Sequence, residues 1–275
     1  MSNLAFSTSR LSIKTRRERK LDQLSVSGRQ GMSIGIASLP AAGARALVRV
    51  IAGAVKPSSG HLEVLGGNPR SMRVRSRIGV SLSPEHLDDD RSVNPFLQEV
   101  ARMKGLSHAI AELEVRDLIA ELGLHGLSDC RIGELQATAR LLLCIACAFF
   151  GNPELIVLTE DPSMLPSIAQ APLLRRMRKH IQQGATVTVA LETVGTFGAS
   201  CDELILLSRG RLIGQATPER IRESITGMDM PGSTSFRRQE GRSEPPEPSL
   251  AEICQWVLEH PDEIAARAKR WNEPR

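Results

Sequence analysis

Tyrosine is absent from this 275-residue chain, and the only other aromatics are six phenylalanines and two tryptophans. A large core must therefore be mainly aliphatic, built from Leu, Ile, Val, Met and Ala. Long apolar runs are missing too. The longest, Leu141 to Phe150, is too short to span a bilayer and reads as a buried helix. Residues Met1 to Arg10 hold no apolar core of the kind a secretory leader needs, so none is expected there. Five cysteines without a small-domain framework point to a reducing compartment rather than to disulfides. Cys144 and Cys147 form a C-x-x-C inside the apolar stretch. With no second ligand pair in view they read as buried thiols, and no metal is expected. The formal net charge of +4 permits an anionic partner but does not require one.

What is present alternates between strand and helix patterns. Two strands are expected within residues 1–27, around a basic turn from Lys14 to Lys20. Met32 to Ala37 reads as a strand and Leu47 to Gly53 as a helix. Two short strands follow, His61 to Gly67 and Arg77 to Leu82. From Asn94 to Leu124 the apolar period becomes helical, and Glu134 to Phe150 reads as a further helix. Pro153 to Leu158 is a continuous apolar run, as in a strand buried on both faces. A helix around Leu173 to Gln183, a strand from Thr186 to Ala190 and a hairpin across Arg209-Gly210 complete the series.

This order predicts an α/β fold with a mostly parallel sheet. Antiparallel strands stand at its N-terminus, and a helical subdomain is inserted at about 94–150. The main domain is expected over 1–226. A Pro-, Gly-, Ser- and Arg-rich linker follows at 227–248. Ser249-Leu250-Ala251-Glu252 is a capping-box pattern that opens a helical appendage over 249–275, with a second short helix ending near Trp271.

Between the strand ending at Ala37 and the helix starting at Leu47 lies Ser38-Leu39-Pro40-Ala41-Ala42-Gly43-Ala44-Arg45-Ala46. A phosphate-binding loop at such a junction reads Gly-x-x-x-x-Gly-Lys-Ser/Thr. The closing glycine is there as Gly43. Ser38 holds the first glycine position, Ala44 the lysine position and Arg45 the hydroxyl position.

Further stretches extend this partial match. Arg49 to Gly53 followed by Pro57-Ser58-Ser59-Gly60, Arg77 to Val80, Gly151 to Leu158, and Cys201 to Leu212 with Gly214 and Thr217-Pro218-Glu219 occur in one order and spacing. In them the chain resembles the ATP-binding subunit of an ABC transporter, of the bacterial ABC-2 exporter kind, over about residues 10–226. The resemblance implies a P-loop NTPase-like nucleotide-binding domain.

It also assigns motif positions, and most hold the wrong chemistry. The Q-loop glutamine position falls on Ser83. The signature motif falls on Leu135, Gln136, Ala137, Thr138 and Ala139, where a serine and paired glycines would let a helix approach a phosphate. The Walker B aspartate falls on Thr159, the D-loop aspartate on Pro166 and the switch histidine on Glu192. Only the catalytic glutamate position keeps its residue, Glu160. Asp161 stands next to it as a candidate shifted metal ligand. The adenine-stacking aromatic expected near Arg16 and Arg17 is missing.

In the family the loop lysine sits between the β- and γ-phosphates and the next hydroxyl ligates Mg²⁺. Ala44 and Arg45 do neither. A hydrogen bond to a charged group contributes about 1.5–3 kcal/mol. Losing the lysine alone should therefore weaken nucleotide roughly 10- to 100-fold. No tight Mg-ATP is expected, though backbone N–H groups leave room for weak ATP or anion binding.

The resemblance implies a pseudo-ATPase, with no residue securely catalytic. It would be peripheral at the inner face of the cell membrane, bound to a transmembrane permease and paired with itself or with a competent ABC ATPase subunit. The permease-facing surface would run from Ser83 to Val100, including Glu85, His86, Leu87 and Phe96. Two alternatives stay open. One is a divergent active ATPase that uses Glu160. The other is a soluble regulatory or nucleic-acid-binding module, for which the basic clusters at 16–20 and 175–179 give weak support without aromatic neighbours.

Overall fold

A computed structural model describes residues 3–15, 18–225, 248–268 and 271. The chain opens with β1 (Leu4–Lys14), β2 (Arg19–Leu24) and β3 (Ser27–Arg29). β4 (Ser33–Leu39), α1 (Ala42–Ile51), β5 (Ser59–Val64), α2 (Met72–Arg75) and β6 (Ile78–Val80) follow. A helical segment comes next: α3 (Val93–Met103), α4 (His108–Leu122) and α5 (Ala137–Ala146). The chain continues through β7 (Leu155–Leu158), α6 (Ser167–Gln182), β8 (Thr186–Leu191), α7 (Thr196–Ala199), β9 (Glu203–Ser208), β10 (Arg211–Ala216) and α8 (Pro218–Ile225). It ends with α9 (Leu250–Glu259) and α10 (Pro261–Ala268).

Two sheets organise these elements. The main one has strand order β10-β9-β4-β8-β7-β6, parallel except for the β9–β10 hairpin. β7 and β8 are buried along their whole length, as their unbroken apolar and threonine content requires. In the second sheet β1 pairs antiparallel with β2, β3 and β5. The predicted α/β class, parallel sheet, antiparallel N-terminal strands and inserted helices are all present.

Local chemistry accounts for the differences in detail. The 94–124 stretch is two helices, broken where Gly105 turns to φ +89° and Ser107 caps α4 by accepting from the Ile110 N–H. Extended residues Leu135 and Gln136 delay α5 to Ala137. α1 starts five residues before the predicted Leu47. α6 starts six before Leu173, with Pro172 in its second turn. At Gly79 the backbone of residues 147–149 packs so closely on β6 that a Cβ would meet the Ala148 carbonyl oxygen at 1.9 Å.

The sheet divides the interior in two. One side packs α1 and the N-terminal sheet through aliphatic residues and Phe6. The other packs the inserted helices, α6 to α8 and the C-terminal helices around Phe96, Phe149, Phe150, Phe197, Trp256 and Trp271. Every Phe and Trp among the described residues is buried, so this second core is less purely aliphatic than composition implies. α9 and α10 dock on their own chain. The Ser208 hydroxyl donates to the Leu258 carbonyl at 3.2 Å, and the Trp271 ring lies where a Cβ on Gly214 would point. Ser249 and Glu252 form the capping box. The 227–248 linker, apart from Pro248, and Arg16-Arg17 lie outside the described residues. Among the described residues no helix is long and apolar enough to cross a membrane.

Candidate functional site

β4 delivers the chain to the loop at the C-terminal end of the parallel sheet. Ser38 is 3% exposed, and its hydroxyl donates to the Pro40 carbonyl at 2.8 Å. The Gly43 N–H donates to the same carbonyl at 3.2 Å, and the Arg45 N–H to Ala41 at 3.3 Å. The loop thus turns its own polar groups inward. A Cβ on Gly43 would lie 2.4 Å from the Ser38 oxygen, so the closing glycine is needed for this turn whatever it binds. Ala44 is 1% exposed and its methyl group joins the core under α1.

Arg45 points the other way, to the end of β8. Its Nη2 lies 3.4 Å from Glu192 Oε1, with both side chains about half exposed. The substituted hydroxyl position and the substituted switch position are therefore joined to each other. Two further contacts engage single positions of this kind. The Ser83 hydroxyl donates to Glu160 Oε1 at 2.9 Å, joining the Q-loop position to the retained carboxylate. The Thr159 N–H donates to Ser81 Oγ at 2.8 Å, and the two hydroxyls are 3.0 Å apart across β6 and β7.

Asp161 is 8% exposed, and each of its oxygens accepts one backbone N–H. One oxygen accepts from the Ser163 N–H at 2.8 Å and the other from the Glu192 N–H. It ties the turn after β7 to the end of β8. A carboxylate satisfied by two backbone donors is a poor candidate for the shifted metal ligand considered above. A cavity of 80 Å³ remains between these groups, lined by Ala41, Arg45, Thr159, Glu160, Asp161 and Glu192 among others. Small-molecule pockets usually span about 300–1,000 Å³.

The signature positions stand apart. Gln136 and Ala137 are exposed at the N-terminus of α5, Leu135 and Thr138 are half-buried, and Gln136 makes no capping bond. Pro166 directly precedes α6. On the 83–100 surface, Glu85 and His86 are exposed, but Leu87 and Phe96 are each only 8% exposed and Leu97 is fully buried. Phe96 and Leu97 are core residues rather than a docking face.

Cys144 and Cys147 are buried within α5 and its end. Burial pushes the Cys144 thiol up to about 12, with the Glu160 carboxylate adding to the shift, and pushes Cys147 up as well. Both are inert thiols at neutral pH. Among the described residues no group of three or more His, Cys, Asp or Glu side chains is placed to hold a metal ion.

Ser81 and the pairing of substituted positions had no signal in the linear motifs. One trace was legible: Arg45 and Glu192 are opposite charges at two positions that the family resemblance places around one phosphate.

No protein-family profile matches the chain. Sequence relatives are nonetheless clear. The chain is 28% identical over 210 residues to the Nod factor export ATP-binding protein I of Burkholderia orbicola, covering 75% of this chain and 69% of that protein. It is 28% identical over 209 residues to the protein of the same name from Neorhizobium galegae, covering 75% and 60%. Among solved structures, the ATP-binding subunit of an ABC transporter superposes with a TM-score of 0.71 at 21% identity, over 80% of this chain and 93% of that one. The cbiO1 protein of Clostridium perfringens, part of the cbiONQ transporter complex, gives 0.67 at 18%, over 82% and 96%. The dimeric cassette MJ0796 bound to ADP and Pi gives 0.69 at 15%, over 77% and 98%. The chain is similar in sequence to these Nod factor export ATP-binding proteins and carries the fold of ABC transporter ATP-binding subunits.

Proposed function

We propose that the chain is a catalytically degenerate ATP-binding-cassette homologue, a structural or regulatory subunit of a membrane ABC transporter-like complex. The observation that carries this reading is the Arg45–Glu192 ion pair. It joins the loop to the end of β8 without any ligand, and its carboxylate would repel a γ-phosphate. The residues present do not fit Mg-ATP. Ala44 supplies no ammonium, Arg45 and Thr159 no free metal ligand, and both Asp161 oxygens are taken by backbone donors. Glu160 alone cannot direct hydrolysis when phosphate and metal are not positioned.

On this reading the chain sits at the inner face of the membrane, holds a permease and pairs with itself or with a competent ATPase subunit. In a mixed pair its altered signature, Leu135 to Thr138, would also leave the partner's site without its usual cover. Scaffolding or assembly is then its contribution.

A divergent ATPase is the second reading, favoured by the retained Glu160 and by relatives named as ATP-binding proteins. Titrating the purified chain with Mg-ATP, beside a Glu160→Gln variant, separates the two. The degenerate subunit binds far more weakly than micromolar and shows no Glu160-dependent turnover. Micromolar affinity, or turnover abolished by Glu160→Gln, would establish the ATPase instead.

A further inference from the structure

A second cavity lies away from the candidate nucleotide site. It is a groove of 690 Å³ at the C-terminal end of α1, about 15 Å from the loop at 1.5 Å per residue of helix. Its floor is apolar: Val50 from α1, Val55 and Pro57 from the following turn, Leu62 from β5, and Pro69. Its rim is cationic. Lys56 and Arg70 are its exposed cations, with the exposed His61 ring and one carboxylate, Glu63, beside them.

The rim continues into a stretch without any acid. No Asp or Glu occurs between Glu63 and Glu85, while Arg70, Arg73, Arg75 and Arg77 all do. Arg77 is paired with Glu154 at 2.5 Å. Arg70, Arg73 and Arg75 are exposed and have no carboxylate partner among the described residues. The Lys104 amine is held below its ordinary value chiefly by burial and next by Arg75. In the middle of this group Met72 stands 82% exposed, while Val74 beside it is buried and anchors α2.

Unpaired guanidinium groups around an exposed apolar side chain, beside a groove with an apolar floor, match an amphiphilic anion. The phosphate would meet the arginines, and acyl carbons would cover Met72 and the Leu62–Val55 floor. Nucleic acid fits less well, because no aromatic lines the groove for bases to stack on. We propose that this groove and α2 form a binding site for anionic phospholipid, which would attach the chain to a bilayer independently of any permease. The site does not depend on whether the vestigial nucleotide site is inert.

Co-sedimentation of the purified full chain with vesicles tests it. Vesicles of phosphatidylcholine mixed with phosphatidylglycerol should bind on the order of 100-fold more tightly than phosphatidylcholine alone, and added salt should release the chain. The triple variant R70Q/R73Q/R75Q should lose roughly 100-fold. Leu62→Glu, which places a charge on the floor, should weaken binding at least about tenfold with the arginines intact. All four positions are exposed or half-buried, and an unchanged thermal transition confirms that the variants fold. Equal binding to both vesicle types would overturn the proposal, as would undiminished binding by the triple variant. Displacement by millimolar glycerol 3-phosphate would assign the site to a free phosphate and overturn the lipid assignment. So would tight binding of RNA by a chain that ignores vesicles.

Discussion

Arg45 and Glu192, 147 positions apart in the chain, meet at 3.4 Å across the mouth of the candidate site. Both sit at the C-terminal end of the parallel sheet, one on the first turn of α1 and one just after β8. Each replaces a residue type that the family resemblance would point at a phosphate, and together they satisfy each other.

That pair should contribute more to geometry than to stability. Its side chains are 52% and 41% exposed, so solvent screening limits it to about 0–1 kcal/mol. Glu192→Gln should shift the unfolding free energy by less than about 1 kcal/mol. Arg45→Glu should cost somewhat more through repulsion, and the swap R45E/E192R should recover most of it. Chemical denaturation of the parent, R45E, E192R and R45E/E192R gives the coupling directly.

Asp161 should matter far more. Asp161→Ala strips the acceptor from two backbone N–H groups in a nearly buried setting, at roughly 2–4 kcal/mol. The melting temperature should fall by several degrees, and magnesium should not protect either protein. Protection of the parent chain alone would restore Asp161 as a metal ligand.

The loop makes a steric prediction. Gly43→Ala places a methyl group against the Ser38 oxygen, with an expected loss of about 1–3 kcal/mol. Removing that oxygen and its carbon in S38G/G43A should recover part of the loss. Denaturant midpoints of the two variants would show whether the glycine serves the turn.

His180 predicts the pH dependence. It lies in contact with Phe149, with Arg176, Lys179 and Glu121 nearby, and burial first and then these two cations lower its pKa to about 4. The unfolded chain binds a proton near 6.5, while the folded chain resists it until about 4. Stability is therefore full above pH 6.5 and falls as pH drops from 6.5 toward 4, by an amount on the order of 2–3 kcal/mol. Glu121, Glu154 and Glu99 are held below their usual carboxylate value by arginine partners, so their contributions are lost only at lower pH. His180→Gln should flatten the profile between pH 5 and 6.5 in urea titrations.

Much of the fold was legible because its signals are local. The apolar runs at Leu155 to Leu158 and Thr186 to Leu191 mark strands buried on both faces, and Ser249 with Glu252 marks a helix start. Boundaries slipped where a single residue decided them: Gly105 inside an apparently continuous helical period, and Pro172, which α6 accommodates. Phe96 shows the converse. It falls within the surface that the family resemblance assigns to a permease, while its place in a helical apolar period favours core packing, and it packs into the core.

By itself the sequence determined the α/β order, the scaffold and which side chains stand at positions 44, 159 and 192, because period, turn residues and side-chain type are properties of neighbours in the chain. Only the tertiary structure decided which groups those side chains meet. The Arg45–Glu192, Ser83–Glu160 and Ser81–Thr159 contacts, like the cationic groove beside α2, join residues from separate strands and loops. Their distances are set by sheet register and helix packing, which no short stretch of sequence encodes.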